Sequence, residues 1–446
     1  MAEETKISVL RYPDNVRLRK GMYLSSKDQC VFEIVDNSVD EYAAGYCKQI
    51  DVSMIWDDDD YIVSVKDNGR GIPTGPSDDP DWKGYSQAEV AMVVLHAGGK
   101  FSQLEGAYKT NTGGMNGVGA SCVNAVSENF SLFVNQNNKK YNAEFSKGII
   151  TQRLKAIPFE KDESKESGTT VIFKLDKELW TIEEYDISHI KKRLRQLSYL
   201  NPGLTINFTL LEKDAIDFKS EVFHCPEGLI GYVNKISTGK QKLIDIAEMN
   251  KNLVFAMTTD NKEKTVDVDI ALVYTDTYSS DVKSFVNNVA TERGGDHETG
   301  FKMGLSNAIK KYIDEYKPKG IKAIESNDVL EGLLAIISIK LKDPNFKGQD
   351  KSNLGMIEIR HAIKSFVEDY MYDYLCKDEK RAKIILDKVA QAAKAREAAK
   401  RARNAARGIK NATASGYVED LAACSSKDPE QCEIFFVEGK LLNCSL

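Results

Sequence analysis

Glu33, Asn37, Asp40 and Glu41 recur at intervals of three and four residues within VFEIVDNSVDEYAAG. On a helix such intervals return to one side, so carboxylates and a carboxamide share a face. That set suits general-base work and oxygen ligation of a hard cation. Further on, Asp67, Asn68, Gly69, Arg70, Gly71, Ile72 and Pro73 follow a strand-like run. This places a carboxylate able to accept from an exocyclic amine such as that of adenine, beside glycines that let a ligand approach backbone closely. A third element is Gly113, Gly114, Met115, Asn116, Gly117, Val118, Gly119, just before a helix that begins near Ala120. Glycines of this kind let backbone N–H groups converge on phosphate oxygens. The spacing is neither GxGxxG nor GxxxxGK[ST], which speaks against a Rossmann or P-loop site. Taken singly, each element also has an ordinary reading: a solvated helix face, a turn, a surface loop.

The elements that must position these groups can be placed by periodicity. Phe32, Val35, Val39 and Ala43 form an apolar stripe that predicts a helix from Gln29 to Gly45. A strand is expected at Tyr61 to Lys66 and a second helix at Ser86 to His96. After about Lys219 strands and helices continue without glycine-rich loops, including Val266 to Tyr274 and Leu333 to Leu341 ahead of FKGQDKSNLG, which reads as a second α+β unit. Asp378 to Lys410 is mostly Ala, Lys, Arg and Glu, which predicts a long exposed connector helix. The final CEIFFVEGKLLNCSL opens as a buried strand.

A length of 446 residues calls for more than one core. Hydrophobic and charged fractions of 42 % and 29 % are those of a soluble globular chain rather than a disordered one. No apolar run approaches a membrane span and MAEETKISVL lacks the layout of a signal peptide, so a cytoplasmic, membrane-free protein is expected. The eight cysteines are scattered and predict reduced thiols; Cys424, Cys432 and Cys444 match no common zinc spacing. Net charge is -6, yet residues 377–410 hold twelve Lys or Arg against four acids. That local excess points to a polyanion partner for one segment, with Arg396, Lys400, Arg401 and Arg403 as candidate contacts and a plain solvated connector as the alternative.

In combination and in this order, the acidic helix, the DxGxG turn and the glycine-rich lid resemble the Bergerat (GHKL) ATP-binding fold of gyrase, the ninety-kilodalton heat-shock chaperones, MutL and histidine kinases. The text around them is similar to the B subunits of gyrase and topoisomerase IV: VLRYPDNVRLRKGMYL, LHAGGKF, SFVNNVATERGGDHETGF and FKGQDKSNLG, over about residues 7–438. The resemblance implies that Glu33 polarises the attacking water and that Asn37 meets Mg²⁺, with Asp36, Asp40 and Glu41 on the same ATP-binding helix. It makes Asp67, helped by Thr169, the reader of the adenine amine, with Arg70, Gly71, Ile72 and Pro73 flanking the base. Lys100 and the lid from Gly113 through Ala120 would enclose the phosphates. Lys351, on a loop with Gln349, would stabilise γ-phosphate charge. Asn116 stands where the family commonly has histidine, and Asp350 where it has threonine. At the far end Glu438, a metal ligand if its site were complete, is followed by Lys440 in place of the family's aspartate.

The resemblance therefore implies an α+β chain: a GHKL ATPase α/β sandwich at residues 1–220, a transducer with a left-handed crossover at 221–372, a basic helical connector at 373–420 and a truncated start of a Toprim domain at 421–446. The implied protein is the ATP- and Mg²⁺-dependent B-type subunit of a type II DNA topoisomerase. It would form a homodimeric gate on ATP binding, capture DNA, and work with an A-type subunit in an A2B2 complex while being cleavage-incompetent alone. The alternative is a truncated paralogue acting as a non-cleaving ATP- and DNA-binding module.

Overall fold

The computed structural model describes residues 9–97, 117–161, 163–259, 261–318, 324–348, 351–406 and 428. The chain divides into two units, Met1–Ala390 and Gln391–Leu446. Within the first, two sheets each carry a hydrophobic core.

The first sheet contains β1 (Gln49–Asp57), β2 (Asp60–Asp67), β3 (Ser127–Gln136), β4 (Lys139–Ser146), β5 (Ile149–Ile157), β6 (Gly168–Leu175), β7 (Thr205–Leu211) and β8 (Lys219–His224), in the order β5-β4-β3-β6-β2-β1-β7-β8. Period-two alternation makes it one-sided. Ile50, Val52 and Met54, Val63 and Val65, Phe130, Leu132 and Val134, and Ile206, Phe208 and Leu210 are all buried, while intervening residues are more exposed. The helices Lys27–Ala43, Gln87–Val93, Gly119–Ala125 and Ile187–Leu200 supply the other half of this core. A two-layer α/β sandwich results, with β2 delivering Asp67 to its end.

The second sheet has β9 (Ala247–Ala256), β10 (Glu263–Tyr274), β11 (Asp281–Val286), β12 (Val289–Ala290) and β13 (Leu333–Leu341), in the order β12-β11-β13-β10-β9. β13 reads LLAIISIKL and is buried at all but one position, as expected of a strand covered on both faces. β11 and β13 are parallel neighbours. The helices Asp296–Tyr316 and Ile357–Cys376 pack with their backbones close. A Cβ on Gly300 would stand 2.6 Å from Arg360 O, and one on Gly304 2.5 Å from Lys364 O, so neither position admits a side chain without separating the helices.

Two expectations need correction. The helix Glu379–Ala406 is not an exposed connector along its whole length, because Ala382, Ile385, Leu386 and Val389 belong to the second core. Low average hydrophobicity concealed a stripe at intervals of three and four residues, which is what packing responds to. On the helix Lys27–Ala43 the buried stripe is Val31, Ile34, Val35 and Val39. Phe32 is only half-buried, packing against the rim of this core and edge-on to His189 with ring centroids 5.3 Å apart, and Ala43 is the last helical residue and also half-buried. No helix among the described residues is long and apolar enough to cross a membrane.

Candidate functional site

The helix Lys27–Ala43 starts at Ser26, whose hydroxyl accepts from Gln29 N at 3.2 Å and so satisfies one of the N–H groups left over in the first turn. With Val31, Ile34, Val35 and Val39 facing the sheet, Glu33, Asp36, Asn37 and Glu41 are left along a cavity of ≈ 940 Å³. Gln29 Nε2 donates to Glu33 Oε1 at 3.4 Å. A Cβ on Gly119 would meet Glu33 Oε2, so any side chain there would displace the carboxylate from its present position. Burial pushes the Glu33 carboxyl above the usual carboxylate range; Lys351 pulls it back, Asp36 adds to the rise, and the Gln29 hydrogen bond and Arg193 lower it.

Asp67 is 6 % exposed at the end of β2. Its Oδ1 accepts from Gly69 N at 2.8 Å and Thr169 N at 3.3 Å, and its Oδ2 from Ser38 Oγ at 3.1 Å. Burial raises its carboxyl and these three bonds oppose the rise. Thr169 is doubly employed, since its hydroxyl also accepts from Ile72 N at 3.2 Å. Gly71 takes φ +81, a left-handed conformation where a Cβ would meet Asn135 O at 3.0 Å; only glycine turns the chain here so that Ile72 and Pro73 can line the cavity.

Gly117, Val118, Gly119, Ala120, Asp67, Thr169 and Lys351 all line this one cavity. Lys351 is brought from the second sheet by the loop after β13, in a left-handed conformation at φ 54. That loop is clamped: Arg293 N donates to Ser352 O at 3.0 Å, and Asn353 Nδ2 to Arg293 O at 2.7 Å.

Asp40 and Arg70 are not among the cavity-lining residues. Asp40 is 3 % exposed and lies seven residues, about 10 Å along the axis, beyond Glu33. Arg70 instead grips Glu41, with Nη2 to Oε1 at 2.9 Å and Nε to Oε2 at 3.0 Å, and its guanidinium lies 3.7 Å from the centroid of the Tyr46 ring. It therefore pins the turn rather than facing the ligand space. Lys100, Gly113, Gly114, Met115, Asn116, Gln349, Asp350 and Glu438 lie outside the described residues. Residues that the sequence alone does not single out also line the cavity, among them Gln29, Ser38, His189, Arg193 and Glu292. Ser38, His189 and Arg193 are ordinary polar residues in the sequence, and their partners Asp67, Asp28 and Asp36 become visible only across the fold.

A sandwich with a carboxylate-bearing helix, a buried aspartate at a strand end and a glycine-flanked cavity defines a GHKL-type ATPase domain. In agreement, residues 26–179 match the family described as histidine kinase-, DNA gyrase B-, and HSP90-like ATPase, and residues 228–405 match DNA gyrase B. The chain belongs to the DNA gyrase B family. It is 38 % identical to the DNA gyrase B protein of Campylobacter jejuni over 442 residues, covering 98 % of this chain and 54 % of the relative. For the DNA gyrase B protein of Clostridium acetobutylicum the identity is also 38 %, over 98 % of this chain and 66 % of the relative. The chain thus spans about half the length of the first of these relatives. Among solved structures it is similar to the 43K ATPase domain of Thermus thermophilus gyrase B in complex with an aminocoumarin, with TM-score 0.67, 30 % identity and coverage of 87 % of this chain and 97 % of that one. It is also similar to the topoisomerase IV ATP-binding domain of Francisella tularensis in complex with a small-molecule inhibitor, with TM-score 0.66, 28 % identity and coverage of 86 % and 97 %.

Proposed function

We propose that this chain binds ATP in the cavity and hydrolyses it, as the B-type subunit of a type II DNA topoisomerase working in the cytoplasm. The observation that carries the reading is the meeting of Glu33, from the first sheet's helix layer, with Lys351, from the second sheet, around one cavity. Asp67 accepts from the adenine amine. Glu33 accepts a proton from water as that water attacks the γ-phosphorus and the bond to the ADP oxygen breaks, giving ADP and phosphate. Lys351 offsets the charge that develops on the transferring group. The carboxamide of Asn37 fits Mg²⁺, which takes hard oxygen ligands and keeps phosphate oxygens and waters in its other positions; bound there, the ion would supply charge neutralisation on the triphosphate. Gln349, Lys100 and the lid from Gly113 to Asn116 complete the site in this reading.

Because Lys351 belongs to the second sheet, nucleotide state and the relative placement of the two sheets are coupled. Two copies closing on ATP into a gate around a DNA segment, with an A-type subunit supplying cleavage, is the use of that coupling we propose, residues 1–220 acting as ATPase and 221–372 as transducer. Lys351→Ala is expected to lower kcat by about 10²- to 10³-fold, with a far smaller change in the affinity for a non-hydrolysable ATP analogue. Steady-state phosphate release and equilibrium binding, measured side by side, check it; near wild-type turnover would remove Lys351 from the mechanism.

The exposed Lys400, Arg401 and Arg403, with the half-buried Arg396, are the proposed DNA-binding residues. Replacing all four by Ala is expected to weaken duplex binding and to flatten the dependence of log K on log salt by about 0.9 for each phosphate no longer neutralised. Fluorescence anisotropy at several salt concentrations reads both. An unchanged slope would leave this helix a connector.

A further inference from the structure

Glu33 and Lys351 must be held in register although different sheets deliver them, and a continuous chain of bonds crosses between the two sides. Arg193, on the helix Ile187–Leu200, has a side chain only 11 % exposed. Its Nη2 donates to Asp36 Oδ1 at 2.9 Å, and its Nη1 to Asn288 O at 2.7 Å. Asp36 lies on the Glu33 helix, one turn further on. Asn288 lies in the tight turn between β11 and β12. That turn is Asn287-Asn288, both in the left-handed region with φ 48 and 67, a conformation asparagine tolerates far better than other L side chains.

From this turn the chain of bonds continues to the Lys351 loop. Asn287 Nδ2 donates to Leu341 O at 2.9 Å and its Oδ1 accepts from Leu341 N at 2.9 Å, holding the last residue of β13 by both backbone groups. The loop bearing Lys351 leaves from there. Its far side is held by Arg293, which follows β12 and bonds Ser352 and Asn353. One segment, from Asn287 to Arg293, therefore grips the Lys351 loop on both sides, and Arg193 is the brace between that segment and the Glu33 helix.

We propose that Arg193 is a positioning residue for ATP hydrolysis: its two-pronged bridge from Asp36 to Asn288 sets Lys351 relative to Glu33. A planar guanidinium can donate in two directions at once, whereas a lysine ammonium on a flexible stem holds one partner well and the other poorly. Misplacement by a fraction of an ångström in a phosphoryl-transfer site appears in kcat rather than in ground-state binding. The inference rests on the ATPase reading, and its test separates the two.

Full-length wild type, Arg193→Lys, Arg193→Met and Asn287→Ala are compared by steady-state ATPase kinetics and by binding of a non-hydrolysable ATP analogue. Arg193→Lys is expected to lower kcat about tenfold with KM and analogue affinity within about threefold. Asn287→Ala should give the same signature, although it leaves every charge in place. In a Lys351→Ala background, followed by single-turnover measurement, the effect of Arg193→Lys should shrink to within about twofold, since there is no longer a Lys351 to position. Unchanged kcat, parallel loss of kcat and nucleotide affinity, or full additivity with Lys351→Ala would overturn the role of Arg193. If Arg193→Met fails to fold, Arg193→Lys and Asn287→Ala carry the comparison. Should the wild type not hydrolyse ATP, or should Glu33→Gln and Lys351→Ala leave turnover intact, the ATPase reading itself fails; if those behave as expected and Arg193→Lys is silent, only this inference does.

Discussion

Glu33→Gln is expected to lower the rate of ATP hydrolysis by about 10²- to 10⁴-fold, the range of a lost general base, while nucleotide still binds. The amide matches the carboxylate in shape, and its oxygen can still accept from Gln29 Nε2 as Glu33 Oε1 does at 3.4 Å. What it cannot do is take a proton from water. The pH dependence follows from the same environment. Burial raises the Glu33 carboxyl, with Lys351 opposing, so the acid limb of the wild-type kcat/KM profile should fall above the usual carboxylate range, with activity lost as pH drops through it.

The sign for stability is opposite to that for activity. A carboxyl whose folded pKa is raised favours folding below its unfolded pKa, and that contribution is lost as pH rises through the folded value. At neutral pH the ionised Glu33 therefore costs stability, and Glu33→Gln should melt higher than wild type. Phosphate-release assays across pH, with melting curves in the same buffers, test both halves. A Glu33→Gln protein that turns over normally would end the general-base assignment.

The second large effect is expected at Asp67, and two substitutions there divide folding from recognition. In Asp67→Ala, the N–H groups of Gly69 and Thr169 and the Ser38 hydroxyl lose their acceptor in a site that is 6 % exposed. Each buried donor left unmatched costs about 1–3 kcal/mol. The raised carboxyl of Asp67 works the other way, since removing a buried charge recovers desolvation. Three stranded donors outweigh that gain, so a net loss of about 2–4 kcal/mol is expected.

Asp67→Asn behaves differently. The amide oxygen can keep the two backbone donors, and the Ser38 hydroxyl can rotate to accept from Nδ2, so the fold survives. The adenine amine then meets an N–H instead of an oxygen, and ATP affinity should fall by about 10²-fold, or roughly 3 kcal/mol. Urea denaturation and calorimetric titration with an ATP analogue separate the outcomes. Binding by Asp67→Asn within about threefold of wild type would remove Asp67 from base recognition.

Much of this machinery could be read from the sequence where it depends on neighbours along the chain. The helix at Lys27–Ala43 lies within two residues of the expected Gln29–Gly45, and β13 occupies the expected Leu333 to Leu341. Asp67 ends β2, as its place at the head of DNGRGIP implies. Errors came where rotation about an axis mattered more than composition. Phe32 and Ala43 share spacing with Val35 and Val39 yet are only half-buried, Phe32 at the rim of the core, because the sheet takes the neighbouring face through Val31 and Ile34. The buried stripe of the Glu379–Ala406 helix is hidden in its composition for the converse reason, its few apolar residues being concentrated on one side.

Residue type and spacing alone determined that a carboxylate helix, a DxGxG turn and a glycine-rich lid occur in one chain, because each is a short-range pattern fixed by helix pitch, strand end or glycine's tolerance of left-handed backbone. Only the tertiary structure decided which of the polar residues face the cavity. It turned Arg70 onto Glu41, left Asp40 outside the lining, and brought Ser38 to Asp67 across 29 residues of sequence and Arg193 to Asp36 across 157. A polar side chain carries its donors and acceptors wherever it stands; which partner satisfies them is settled by packing, when burial makes an unmatched group expensive.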